Sequence, residues 1–183
     1  MMMGTKETMA KKNDSKSPMD AALDYLSAKA RTVREVELRL DELDFGEYEV
    51  YAAVERLKEL NYLNDEKYAA DFVDSRLRTK PMSRRKLKEQ LLSHFLPKDA
   101  VDAALSSVDN AAELKNALLV AEKYQKQFSR LESGEAKRRV VSRLAARGFG
   151  YDSIKPCVER LYGDAEGAEE AFLKAEDASD DEG

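Results

Sequence analysis

A chain of 183 residues, 37% of them charged and 43% hydrophobic, has room for one ordinary core or a short array of smaller ones. With one cysteine, Cys157, and one histidine, His94, it has no means of forming an internal disulfide or a Cys/His zinc site, which fits a reducing, cytoplasmic setting. Eight glycines, four prolines and no tryptophan, set against abundant Ala, Leu, Glu, Lys and Arg, make helix the expected structure; no run approaches the roughly 20 apolar residues of a membrane span.

Residues 1–17 are polar and aperiodic, with Lys6, Lys11, Lys12 and Lys16 but no apolar run of the signal-peptide kind, so a disordered arm is expected. Ser17 before Pro18 supplies a cap acceptor and a pre-set φ for the first helix. Thr32 with Glu35, and Asn110 with Glu113, have capping-box spacing and mark further helix starts. Apolar residues three and four apart then predict nine helices, carried by Leu23/Leu26, Val36/Leu40, Val50/Val54, Tyr68/Phe72, Leu87/Leu91, Val101/Leu105, Leu114/Leu118, Val140/Leu144 and Ile154/Val158. From Gly163 onward the chain is acidic and reads as a disordered tail, with a short helix possible over residues 165–175, where Ala168, Ala171, Phe172 and Ala175 keep helical spacing.

The nine helices fall into a repeat. At offsets of 51 and then 53 residues, Val36 aligns with Leu87 and Val140, Leu40 with Leu91 and Leu144, and Phe45 with Leu96 and Phe149. The second helix of each pair follows in the same register, with Val50, Val101 and Ile154 together and Leu57, Val108 and Leu161 together. Gly46, Pro97 and Gly150 coincide at the junction, each a residue that interrupts or restarts a helix. An aromatic-bearing helix precedes each pair: Tyr25, then Tyr68 and Phe72, then Tyr124 and Phe128. The expected architecture is all-α, with three tandem three-helix repeats at residues 18–62, 63–108 and 109–162, an arm at 1–17 and an acidic tail at 163–183. Units this small must pack on their neighbours, giving an elongated, curved array.

Net charge is −5, but its sign is segregated. Between Glu35 and Asp71 acidic residues face only Arg39, Arg56, Lys58 and Lys67; between Asp74 and Lys98 the balance reverses, with Arg76, Arg78, Lys80, Arg84, Arg85, Lys86, Lys88 and Lys98. Lys137, Arg138, Arg139, Arg143 and Arg147 cluster again in the third repeat, where Arg138 and Arg139 align with Arg85 and Lys86. Such a surface attracts polyanions or acidic protein faces. No aromatics interleave with these residues along the chain, so sequence-specific base recognition is not indicated.

Catalysis finds no footing in the sequence. His94 reads as a helix-end residue and Cys157 as a small packed one; there is no glycine-rich phosphate loop, no marked carboxylate pair, and no cofactor or metal is implied. The expectation is a monomeric, non-enzymatic binding protein.

The run Leu60-Asn61-Tyr62-Leu63-Asn64-Asp65, followed by Tyr68-Ala69, Phe72-Val73 and Arg76, resembles the central signature of the RecX regulators of RecA recombinase. Leu144 to Ile154, with Arg147-Gly148-Phe149, is similar to that family's C-terminal element, and Ala22 to Leu26 with Glu35 to Leu40 to its N-terminal repeat. Thr79-Lys80-Pro81-Met82-Ser83 and Ser93-His94-Phe95 depart from the pattern, and the acidic tail is additional. The resemblance implies a cytoplasmic regulator that binds RecA and its filament on single-stranded DNA and lowers ATP hydrolysis and strand exchange in recombination, DNA repair and the SOS response. Direct DNA contact would be weak. The surface expected to engage the filament is Arg84, Arg85, Lys88, Arg138, Arg139 and Arg143; the alternative is a helical repeat protein that binds DNA without sequence preference.

Overall fold

The computed structural model describes residues 16–180, all of whose regular structure is helical. The helices are α1 (Pro18–Ala28), α2 (Val33–Asp41), α3 (Glu47–Glu59), α4 (Asp65–Thr79), α5 (Arg84–Ser93), α6 (Lys98–Ala104), α7 (Asn110–Gln127), α8 (Ser133–Ala145), α9 (Tyr151–Tyr162) and α10 (Ala168–Asp180). The expected arm over residues 1–17 falls almost wholly outside the described residues.

Three buried clusters form, one for each three-helix group, the third also taking in α10. Ala22, Val36, Leu40, Val54 and Leu57 centre the first, Ala69, Val73, Leu87, Leu91, Val101 and Leu105 the second, and Ala117, Val140, Leu144, Phe149, Ile154 and Val158 the third. The tandem three-helix organisation read from the apolar register is therefore present. By compactness the chain divides at Asn64–Asp65, so the first group stands as one unit and the remaining helices as another.

The repeat extends to the backbone of its turns. Gly46, Pro97 and Gly150 are the N-caps of α3, α6 and α9, all extended at φ −67°, −64° and −74°. Two residues earlier, Asp44, Phe95 and Gly148 all take left-handed φ, at 61°, 60° and 83°. Reversing the chain direction at this position turns the following residue, Phe45, Leu96 or Phe149, into its core.

Two of the expected caps form as read. The Ser17 hydroxyl accepts the Asp20 amide at 3.1 Å, and Thr32 and Glu35 exchange bonds of 3.2 and 3.1 Å. The third does not: α7 is capped one residue earlier by Asp109, whose carboxylate accepts the Ala112 amide at 2.8 Å. Glu113, released from that box, instead accepts the Arg84 amide at 2.8 Å. Asp and Asn are comparable caps by residue type, and with Asp109 at the cap Asn110 becomes the first residue of the helix.

The disordered acidic tail is also corrected. Residues 168–180 form a helix longer than the possible one at 165–175, and Ala168, Ala171 and Phe172 are buried in the third cluster. The Phe172 ring lies 5.8 Å from that of Tyr151. Lys137, largely buried on α8, donates to Asp164 at 2.5 Å and to the Glu166 carbonyl at 3.4 Å, tying down the connection into α10. That bond holds the Asp164 carboxyl below the usual carboxylate range. Average composition hid a narrow apolar stripe beneath an acidic face.

Candidate interaction surface

The basic residues lie on α5 and α8 and have different employments. On α5, Arg84 is a structural cap: its guanidinium donates to the Leu105 and Val108 carbonyls at 2.6 and 3.0 Å, where α6 ends. Arg84 stays exposed, but one of its guanidinium nitrogens satisfies carbonyls that α6 leaves unpaired, so its charge serves the fold as well. Arg85 is exposed. Lys88 lies 3.6 Å from Asp102 across the helix pair, with nearly half of its side chain exposed.

On α8, Arg138, Arg139 and Arg143 are all exposed. Arg138 stands within the electrostatic reach of Glu132 and Glu170. Arg139 pairs with Glu135 at 2.7 Å and lies 5.9 Å from the centre of the Phe128 ring. Arg143 lies 5.9 Å from the Tyr124 ring. Arg147, just past the end of α8, lies 5.6 Å from the Tyr124 ring.

Tyr124 and Phe128 stack with centroids 5.9 Å apart and planes within 14°. They form a half-buried aromatic rail on α7 against which the guanidinium row of α8 rests. Chain order concealed this, since the aromatics precede the arginines instead of alternating with them. Phe128 is buried, so the rail orients arginines and offers no open platform for bases. An equivalent device recurs in the second group, where Tyr68 and Phe72 stack at 6.4 Å, Arg76 lies 4.9 Å from Phe72, and His94 abuts both rings at 5.7 and 5.5 Å. His94 caps the end of α5, as read from the sequence.

Arg147, which the expected binding set leaves out, ties this surface together. One guanidinium nitrogen donates to the Pro81 carbonyl at 2.8 Å, another to the Tyr124 hydroxyl at 3.2 Å, and its own carbonyl accepts the Ser83 amide at 3.0 Å. The hydrogen bond from Arg147 holds the Tyr124 phenol below its usual range. Arg147 thus joins α7, the start of α5 and the α8–α9 turn, fixing the base of the arginine row.

Cys157 is 1% exposed, and burial pushes its thiol up to about 11, the behaviour of a packed side chain. Among the described residues no group of three or more His, Cys, Asp or Glu is placed to hold a metal ion, and no helix is long and apolar enough to cross a membrane.

Comparison with known proteins places this geometry among relatives. Residues 19–57 match the family model of the first three-helix domain of RecX, and residues 64–105 that of the second. The chain is 33% identical over 144 residues to a regulatory protein RecX of Clostridium perfringens (strain SM101 / Type A), covering 78% of this chain and 67% of the relative. To the RecX of Bacillus subtilis (strain 168) it is 28% identical over 163 residues, 88% of this chain but 62% of that one, so it spans less than two thirds of that protein's length. The relative from Prosthecochloris aestuarii, 28% identical, is covered to 96%. Among solved structures, RecX from Lactobacillus salivarius superimposes with a TM-score of 0.67 at 26% identity, over 79% of this chain and 94% of that one.

Proposed function

This chain belongs to the RecX family of regulatory proteins, and on that premise we propose that it binds RecA recombinase and its filament on single-stranded DNA, slowing ATP hydrolysis and strand exchange during recombination and repair. The observation that carries the reading is the exposed pair Arg139 and Arg143 on α8, lying against Phe128 and Tyr124, with Arg147 just past the helix end anchoring the base of the row. Arg138 on the same helix and Arg85 and Lys88 on α5 add further cations that can meet phosphate or acidic protein surface.

A row of charges suits a polymeric target better than a single small ligand. Successive repeats engage successive recombinase protomers, and each contact raises the effective concentration of the next. Affinity then accumulates without a deep pocket. The ion pairs now held by Arg139 and Lys88 are exposed and cost under about 1 kcal/mol to open.

Binding to a fluorescent single strand, bare or coated with RecA, tests the proposal. The coated strand is expected to bind at least about tenfold more tightly at physiological salt. Equal affinity for both, with a linear fall in log affinity against log salt, would instead identify a DNA binder without regard to RecA.

A further inference from the structure

The first three-helix unit presents a surface of opposite character. On α3, Tyr48 and Tyr51 are 82% and 63% exposed, and they lie on one face of the helix. Tyr51 borders a groove of about 480 Å³ between α2 and α3, whose other walls are Arg34, Glu37, Asp41, Glu47 and the buried Val50. Arg34 is already paired with Glu37 at 3.0 Å, which leaves the carboxylates of Asp41 and Glu47 to set the sign of the groove.

The repeat register shows that folding does not require these side chains. The positions equivalent to Tyr48 carry Asp99 and Asp152, and those equivalent to Tyr51 carry Asp102 and Lys155, so the three-helix unit is also built with charged residues there. Two exposed tyrosines on one helix face are a cost in water that the fold does not demand. The charges change as deliberately: Glu37 and Glu47 stand where the second repeat has Lys88 and Lys98. One site in the repeat is acidic and aromatic in the first copy and of mixed charge, with Lys88, Lys98, Asp99 and Asp102, in the second.

We infer that the α2–α3 face of the first unit docks a basic protein segment, an arginine- or lysine-bearing helix or loop of the recombinase. Cationic side chains find carboxylates in the groove and ring faces at its rim, while a phosphate backbone is repelled. The chain therefore meets the filament with two chemistries: an acidic, tyrosine-bearing face that reads protein, and a basic one that meets phosphate or acidic surface. This rests on the RecA reading above.

The repeat supplies the variants for the test, because residues of the second copy can be moved into the first. Tyr48→Asp with Tyr51→Asp, and separately Glu37→Lys with Glu47→Lys, are compared with the wild-type chain on RecA-coated and bare strands, with helical content checked by circular dichroism. Both variants are expected to lose about tenfold or more in affinity for the coated strand, with affinity for the bare strand undiminished. Unchanged affinity for the coated strand in both folded variants overturns the inference while leaving the RecA reading intact. A wild-type chain that shows no preference for the coated strand removes that reading and this inference with it. If sedimentation shows self-association that the same substitutions abolish, the face belongs to a second copy of this chain and the recombinase assignment is wrong.

Discussion

Reversing Arg139 and Arg143 to Glu lowers affinity for the RecA-coated strand by about 30-fold at low salt, on the order of 2 kcal/mol for the pair. Both guanidinium groups are exposed on one stripe of α8 and are held in direction by Phe128 and Tyr124. The new carboxylates meet the anionic surface that the arginines attracted, so the change includes repulsion as well as lost attraction. Neither side chain supports the core, and helical content should stay at the wild-type value. The effect shrinks as ionic strength rises, because exposed charges are screened beyond about 8 Å at physiological salt. Arg84→Glu is an instructive contrast: it strips the donors from the Leu105 and Val108 carbonyls and acts mainly on stability. Undiminished affinity in the double variant at low salt would sink the role given to α8.

The largest expected effect on stability comes from Gly148→Ala. A Cβ at this position would lie 2.5 Å from the Ser83 hydroxyl oxygen and 3.0 Å from the Lys86 Cβ. Left-handed φ alone does not demand glycine at this turn, since Asp44 and Phe95 adopt it at the equivalent positions. What differs is the close approach of the α8–α9 turn to the start of α5, where the Ser83 amide reaches the Arg147 carbonyl. The alanine adds conformational strain of roughly 1 kcal/mol and an overpacking cost of about 1–3 kcal/mol. A total of about 2–4 kcal/mol lowers the melting temperature by roughly 5–15 °C for a unit of this size. Gly150→Ala is the control: its φ is −74° and nothing lies within 4 Å of the added carbon, so it should cost under about 1 kcal/mol. Equal melting temperatures for the two variants would show that the turn does not press on α5 as described.

Much of the fold was legible because each repeat is written in local signals. Apolar spacing placed the helices from α1 to α9, and the coincidence of Gly46, Pro97 and Gly150 marked a turn whose backbone proves to repeat as well. Where the reading failed, the deciding interactions joined residues far apart in sequence. Glu113 looked like a capping partner for Asn110 but serves the Arg84 amide, a residue of another helix. Arg84 was indistinguishable from Arg85 in a basic run, and only the position of the end of α6 shows that one of the two exposed arginines also caps carbonyls. The α10 stripe was visible as Ala168, Ala171 and Phe172, yet acidic composition outweighed it; burial against α8 and α9 supplies the stability that propensity alone could not. The rail under the arginines needed the packing of α7 on α8 to bring Tyr124 to Arg143 and Arg147.

The central claim is that this chain acts on the recombinase filament and not on naked DNA. Its most direct test is the rate of ATP hydrolysis by RecA on saturating single-stranded DNA as the chain is titrated in at physiological salt, with RecA coverage of the strand followed in parallel. The account predicts a saturable fall in rate, reached while RecA still covers the strand and weakened by the Arg139 and Arg143 reversal. A rate that stays constant through full titration, or falls only when the strand is stripped of RecA by competition for DNA, contradicts it.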